Sequence, residues 1–149
     1  PIKNKKKNLE GTVEEMRNFS FAYIEKYAPS KQQLKTYLLK KYLKTKIPSI
    51  TKSNISDLIN VVLEDLEKTK FINDKFYSNS KAKSLLQRGS SINKIRNYLL
   101  SKGVNNKYIS KTLDEIKDNN EDQDFFSAIK ICKKKELVQL EMKIIGLYL

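Results

Sequence analysis

Apolar side chains recur at steps of three and four residues along most of this chain, which is the spacing of one face of an α-helix. The first run covers residues 13–27, and its stripe consists of Met16, Phe19, Ala22, Tyr23 and the adjoining Ala28. Two further helices are predicted, one over residues 31–43 and one that begins after Ser53. Their inward side chains are Leu34, Tyr37, Leu38 and Tyr42, followed by Ile55, Leu58, Ile59, Val62, Leu63 and Leu66.

Helix-breaking and capping residues separate these runs. Pro29 ends the first helix and Ser30 caps the second. A loop that contains Pro48 follows, and Ser53 is the expected cap of the third helix. The pattern therefore predicts three consecutive helices before the pair Phe71-Ile72, which we expect to pack as a turn.

Three more helices are expected after that turn. Asn73 or Asp74 begins one that Gly89 stops, with Phe76, Tyr77, Ala82, Leu85 and Leu86 as its candidate core. Ser91 caps the next, which Gly103 ends. Asn105 or Asn106 starts a sixth helix that buries Tyr108, Ile109, Leu113 and Ile116. The polar stretch of residues 119–124 predicts a break, and a seventh helix is expected from about Asp124.

One sequence pattern occurs twice. The segment from Ser30 to Lys41 reappears from Ser91 to Lys102, with the serine, a Tyr-Leu-Leu triplet and the closing lysine unchanged. Residues 62–66 are echoed in the same way by residues 112–116. Repetition on this scale is typical of modular arrays, whose units stack on one another to bury their apolar faces.

The repeats predict an all-α fold of tandem three-helix repeats that form an elongated, curved array. The expected divisions are a disordered basic arm (1–11), a first repeat (12–72), a second repeat (73–120), and a partial third repeat or atypical C-terminal helix (121–149). Such an array offers an extended binding surface rather than a small-molecule pocket.

Charge points to a polyanionic partner. The chain carries 30 Lys and Arg against 17 Asp and Glu, a formal net charge of +13. Nucleic acids and protein–nucleic-acid complexes are common partners of proteins this basic. A lysine-rich genome is the alternative explanation.

The basic residues are unevenly placed along the repeats. Residues 30–46 and 75–102 contain no acid, whereas the third helix of each unit is acidic. This layout predicts a basic stripe that contacts phosphates or acidic protein patches, although alternating solvated helix faces would give similar local patterns. The binding candidates are Lys31, Lys35, Lys81, Lys83, Arg88, Lys94, Arg96 and Lys102. Tyr37 and Tyr98 could stack on bases, but their apolar spacing favours core packing.

The sequence shows no constellation typical of an enzyme. His is absent and Cys132 is the one cysteine, so common zinc sites and histidine acid–base chemistry are excluded. We therefore expect no catalytic residue, metal or cofactor, and an inert rather than activated Cys132 thiol. No run approaches the length of a membrane span. A cytoplasmic monomer without a membrane partner is expected.

Several segments match the motifs of one known family in their order and spacing. The first is Phe71-Ile72-Asn73-Asp74-Lys75-Phe76-Tyr77-Ser78, which is similar to the opening of that family's second repeat. The family's basic helix, which ends in Lys-Gly, is matched by Gly89, Ile92, Ile95, Leu99 and Lys102-Gly103-Val104, and in the first repeat by Ser30, Leu34, Leu38 and Lys41. Over about residues 13–132 the chain therefore resembles the RecX family, the regulators of the bacterial recombinase RecA.

This resemblance implies a regulator without catalytic activity. It would lodge in the groove of the RecA–single-stranded-DNA filament, hinder filament growth and reduce strand exchange and coprotease activity. Its partners would be the RecA filament and, through it, single-stranded DNA, and its setting would be DNA repair, homologous recombination and the SOS response. A stand-alone helix-turn-helix-like DNA-binding module is the alternative function.

Two parts of the chain depart from the family. The loop over residues 42–52 is longer than the family's short turn, and the tail after Lys135 does not resemble the family's third repeat. With AT-rich codons, another reading frame over residues 135–149 can encode a segment that resembles the family's continuation, so we expect a frameshifted or truncated product. The alternative is that residues 124–149 form one amphipathic helix that folds back on the second unit.

Overall fold

Six α-helices make up the described part of the chain, which contains no strand. The structure is a computed structural model. It describes residues 8–45, 47 and 50–146, without the side chains of residues 120–133 and 144–146. The helices are α1 (Val13–Tyr27), α2 (Lys31–Leu43), α3 (Lys52–Lys68), α4 (Asp74–Gln87), α5 (Ile92–Ser101) and α6 (Asn106–Gly146). The predicted all-α class is confirmed.

Hydroxyl side chains begin the first three helices. Thr12, Ser30 and Thr51 each hold an extended backbone and accept a hydrogen bond from the amide three residues on. Such caps satisfy amides that lack a partner within the helix. Ser53 was expected to cap α3, and this is wrong because the Thr51 hydroxyl accepts the Asn54 amide at 3.4 Å.

The core of the N-terminal half lies between α1, α2 and α3, which pack on one another pairwise. Each burial of a large apolar side chain contributes about 1.5 to 3 kcal/mol. The predicted stripe of α1 is too wide, because Ala22 and Ala28 are exposed. The buried apolar side chains are Met16, Leu34, Leu38, Tyr42, Ile55, Ile59, Val62, Leu63, Leu66 and Ile72.

Helices α4 and α5 pack on each other through a smaller core that includes Tyr77, Ala82, Ile95 and Leu99. Phe76 was expected in this core, and this is wrong. Its side chain is 72% exposed, because the buried side chains of α4, which are Tyr77, Ser78 and Ala82, all lie about 100° or more away from it around the helix.

The two copies of the repeated segment adopt the same local structure. Ser30 and Ser91 cap α2 and α5 with equivalent hydrogen bonds. Leu38 and Leu99, which also correspond in the repeat, are both fully buried. The sequence repeat is therefore a repeat of helix caps and buried positions.

The N-terminus of α2 contacts the beginning of α4 and the end of α5, a junction that we call the α2 joint. The Ser30 hydroxyl donates to the Lys102 carbonyl at 2.7 Å. The Lys31 amide donates to the Asp74 carboxylate at 2.8 Å. Gly103 lies against Gln32, because a Cβ on this glycine would stand 2.5 Å from the Gln32 Cβ.

Helix α6 continues from Asn106 to Gly146 without interruption. The predicted break at residues 119–124 and the separate seventh helix are therefore wrong. No proline or glycine lies between these ends, and a residue such as Asn or Asp lowers helix stability by less than about 0.7 kcal/mol. The described side chains of residues 134–143 are all exposed.

The chain forms two compact units, Pro1–Thr112 and Leu113–Leu149. In the first, Leu9 packs against the core, and the amides of Glu10 and Gly11 donate to the Glu15 carboxylate. These contacts involve the last residues of the expected basic arm. Its residues 1–7 lie outside the described part of the chain.

Candidate functional site

The eight basic candidates differ in how exposed their side chains are. Lys83, Arg88, Lys94 and Arg96 are exposed, while the other four are half-buried. The ammonium groups of Lys81 and Lys102 stand over the rings of Tyr77 and Tyr98, at 5.7 and 5.4 Å from the ring centroids.

Helix geometry separates some candidates that are close in sequence. Lys94 and Arg96 lie two residues apart on α5, so their directions differ by about 160°. The same holds for Lys81 and Lys83 on α4. Residues with this spacing do not face the same side of a helix. One straight stripe therefore does not contain both members of either pair.

Lys31 and Lys35 lie one turn apart and line a cavity of about 440 Å³. The side chain of Lys31 is ion-paired with Glu67. We call this cavity the acidic groove, since carboxylates outnumber ammonium groups among its lining residues. These are Lys31, Gln32, Lys35, Asn60, Leu63, Glu64, Glu67, Asp74, Gly103, Asn105 and Tyr108. Phosphate contacts are disfavoured here by the carboxylates.

Asp74 connects this groove to the α2 joint. Burial raises the pKa of its carboxyl group above the ordinary value of 3.8, and the hydrogen bond from the Lys31 amide opposes that shift. The folded protein therefore holds a proton at Asp74 more strongly than the unfolded chain does. As the pH rises from 3.8 through the folded-state pKa, ionisation of Asp74 lowers stability.

We expect Asp74→Asn to remove part of this pH dependence. The asparagine oxygen still accepts the Lys31 amide but carries no charge to desolvate. Relative to the parent chain, the variant should gain stability as the pH rises from 4 to 7, which urea denaturation at each pH would measure.

Asp65→Asn serves as the control for this prediction. Asp65 pairs with Arg17 at 2.6 Å, so its neutralisation should lower stability at neutral pH, by up to about 1 kcal/mol. If both variants changed the stability in the same direction as the pH rises from 4 to 7, the role assigned to Asp74 would be contradicted.

A ladder of tyrosine rings crosses α1 and α2. Tyr37 stacks on Tyr23 with centroids 4.1 Å apart and an interplanar angle of 14°. Tyr27 adjoins Tyr23 at 4.7 Å and is 54% exposed. We call these three rings the tyrosine ladder. Lys26 stands 5.1 Å from the Tyr27 centroid and Lys41 stands 5.6 Å from that of Tyr37.

A second cavity, of about 460 Å³, opens beside the tyrosine ladder. We call it the basic groove, because its charged lining groups are the ammonium groups of Lys40 and Lys102. Its lining residues are Tyr23, Gln32, Gln33, Thr36, Tyr37, Lys40, Ser101 and Lys102. Rings, amides and ammonium groups thus meet in one cavity, and this combination suits a ligand with both a flat ring and a negative charge.

Tyr37 and Tyr98 are half-buried, and both rings are in contact with other side chains. Tyr37 belongs to the ladder, whereas Tyr98 lies beside Tyr77 and its ring contacts the Lys102 ammonium group. Burial raises the pKa of Tyr77, and Tyr98 adds to that increase. The equivalent tyrosines therefore pack in different ways.

Sequence reasoning missed Tyr23 and Lys40 as members of the site. A signal existed for Lys40, since it belongs to the acid-free stretch of residues 30–46. No comparable signal existed for Tyr23, because its apolar spacing on α1 was equally consistent with a core position.

An exposed aromatic surface lies on another side of α1 and α4. Phe71 and Phe76 are 55% and 72% exposed. Phe21 contacts Phe71 edge to face, with centroids 5.0 Å apart. We call these three side chains the phenylalanine surface. Phe71 and Phe76 also line a cavity of about 440 Å³ together with Lys70 and Lys81.

Within the described residues, no cluster of His, Cys, Asp or Glu is arranged to hold a metal ion. None of the helices described there combines the length and apolar character that a membrane crossing requires. The side chain of Cys132 lies outside the described residues, so the expectation of an inert thiol remains a prediction.

Comparison with known proteins assigns no relationship. No family model, curated protein or solved structure matches this chain significantly.

Proposed function

We propose that this chain is a negative regulator of RecA, which binds the RecA–single-stranded-DNA filament and limits its growth, recombinase activity and coprotease activity. We also propose that α1–α3 and α4 to the start of α6 are tandem copies of one three-helix unit. Regulation by binding requires no chemistry at the site. The RecX-like segment of residues 71–78 is the starting point of this proposal.

The observation that carries the proposal is the exposure of Phe71 and Phe76 within that segment. Ile72, between them, is buried, Asn73 caps α4, and Asp74 accepts the α2 amide. Phe71 and Phe76 are exposed instead, and the Phe71 ring contacts Phe21 edge to face. Exposed apolar patches mark protein-binding surfaces, and aromatic residues are enriched at interfaces.

The basic groove supplies a second, chemically different surface. A RecA filament presents protein and DNA phosphates together, so a partner with an aromatic face and a cationic groove suits it. The net charge of +13 also favours rapid association with a polyanionic assembly.

The test is the DNA-dependent ATPase activity of RecA on single-stranded DNA, with the chain titrated in. We expect inhibition at ratios far below one chain per RecA, because a bound regulator would block addition of many further subunits. Inhibition only at concentrations that saturate the bare DNA would contradict the proposal, and so would no inhibition.

Matched variants locate the RecA contact. Phe76→Ala removes a side chain that is 72% exposed, so the fold should be retained while inhibition weakens about tenfold or more. Val61→Ala, at a side chain that is 53% exposed on α3, is the control and should inhibit normally. Equal inhibition by the two variants would exclude the phenylalanine surface as the contact.

The helix-turn-helix-like alternative has one observation in its favour. α4 and α5 pack on each other and are joined by four residues that include Gly89, which is the length of a helix-turn-helix turn. α5 would then be the recognition helix, with Lys94 and Arg96 near its start. Preferential binding of duplex DNA that Lys94→Glu abolishes would support this alternative.

A further inference from the structure

We infer that the basic groove and the adjoining tyrosine ladder form a binding site for single-stranded nucleic acid, with one nucleotide in the groove and a neighbouring base stacked on Tyr27. This inference concerns direct contact with a bare strand and does not depend on RecA. It assigns the contact to Tyr27, Tyr37, Lys40 and Lys102.

The ladder ends in a ring on which a base can stack. Tyr23 and Tyr37 are nearly parallel at 4.1 Å, and Tyr27 lies 4.7 Å from Tyr23 with its ring tilted by 45°. Because Tyr27 is 54% exposed, the series ends at an accessible ring. An unpaired base can extend it, and base–aromatic stacking contributes about 1 to 3 kcal/mol per base without selecting sequence.

The groove supplies the charges that a phosphodiester backbone requires. Lys40 lies on α2 and Lys102 at the end of α5, and both line the cavity of about 460 Å³. Its lining residues within the described part of the chain include no carboxylate. The amide of Gln32 provides a donor and an acceptor for a base edge. The cavity therefore matches the anionic and the aromatic parts of a nucleotide together.

The charges on the opposite side of α2 determine on which side of this helix a polyanion binds. Lys31 and Lys35 lie in the acidic groove, where Glu64, Glu67 and Asp74 disfavour phosphates. Gln32 lines both cavities, so it marks the border between them. A polyanion approaching α2 should consequently settle on the Lys40 side. Duplex DNA is disfavoured because its bases are already stacked and paired.

The experiment measures binding of fluorescent oligothymidylate by anisotropy, with no RecA present. Tyrosine fluorescence gives a second readout, since the chain has 8 Tyr and no Trp. We expect Lys40→Glu combined with Lys102→Glu to weaken binding by about tenfold or more and to make the salt dependence shallower by about 1.4. The control, Lys107→Glu with Lys111→Glu at two exposed side chains of α6, makes the same change in net charge and should alter affinity by less than about threefold.

A second matched pair tests stacking. Tyr27→Ala should weaken binding by about tenfold and reduce the quenching of tyrosine fluorescence. Phe76→Ala, at the other exposed aromatic surface, should bind normally. Equal losses within either pair would overturn the inference, as would tighter binding to duplex. Saturation by adenosine monophosphate at the same concentration as by the oligonucleotide would also overturn it, in favour of a free-nucleotide site.

Discussion

Replacing Gly103 by alanine is expected to lower the free energy of unfolding by about 2 to 4 kcal/mol. Gly103 has a φ of +73°, a left-handed conformation that costs an alanine about 1 kcal/mol or more. The new Cβ would also stand 2.5 Å from the Cβ of Gln32. Because that atom is close to the α2 backbone, relief requires α5 to move away from α2, and such overpacking costs about 1 to 3 kcal/mol.

Gly89→Ala is the matched control for this prediction. Gly89 follows α4 as Gly103 follows α5, and both glycines close their helices with the same pair of backbone hydrogen bonds. Gly89 has a φ of +84°, but its Cβ would meet nothing within 4 Å. Its replacement should therefore cost about 1 kcal/mol from backbone strain alone. Urea denaturation followed by circular dichroism measures both variants, and equal losses would exclude a close approach of α5 to α2.

Replacing Ser30 by alanine should be the second large effect, with a loss of about 2 to 3 kcal/mol. The hydroxyl accepts the Gln33 amide at 3.2 Å and donates to the Lys102 carbonyl at 2.7 Å. Loss of a cap costs about 1 kcal/mol. Leaving the partly buried Lys102 carbonyl without its donor adds about 1 kcal/mol or more.

Ser91→Ala separates these two contributions. Ser91 accepts the Lys94 amide at 3.2 Å and caps α5 in an exposed position. Its replacement should therefore cost only the cap, about 1 kcal/mol. The difference between the two variants, measured from urea midpoints, estimates the value of the bond between α2 and α5. A difference near zero would show that this bond does not contribute to stability.

Local chemistry explains why the ends of the first five helices, apart from the start of α3, were predictable from sequence. Ser30, Ser91, Gly89 and Gly103 begin or end their helices through hydrogen bonds within a few residues of their own positions, so these helix boundaries are readable without tertiary structure. The break predicted in α6 at residues 119–124 was wrong, because no strong local signal ends the helix there. A polar stretch lowers propensity only slightly, and it does not end a helix that lacks proline or glycine.

The candidate site was predicted less well, because it depends on contacts between helices. Nothing in the sequence near Lys31 indicates that it pairs with Glu67, which lies 36 residues away. Lys102 was identified from the acid-free stretch, but its neighbours Tyr23 and Lys40 come from α1 and α2. The exposure of Phe76 was also not predictable from the sequence. Helical spacing alone does not show which of the two adjacent aromatic residues, Phe76 or Tyr77, faces the core.

The α2 joint also provides a natural probe of local opening by hydrogen exchange. Amides in the first turn of a helix have no partner within it and usually exchange fast. The Lys31 amide is protected instead by Asp74, 43 residues away in sequence. Its exchange should therefore report separation of α4 from α2. Amides in the middle of α2 should remain protected until the packing of α1, α2 and α3 is lost. Exchange at the Lys31 amide would thus show whether α4 separates from α2 before either helix unfolds.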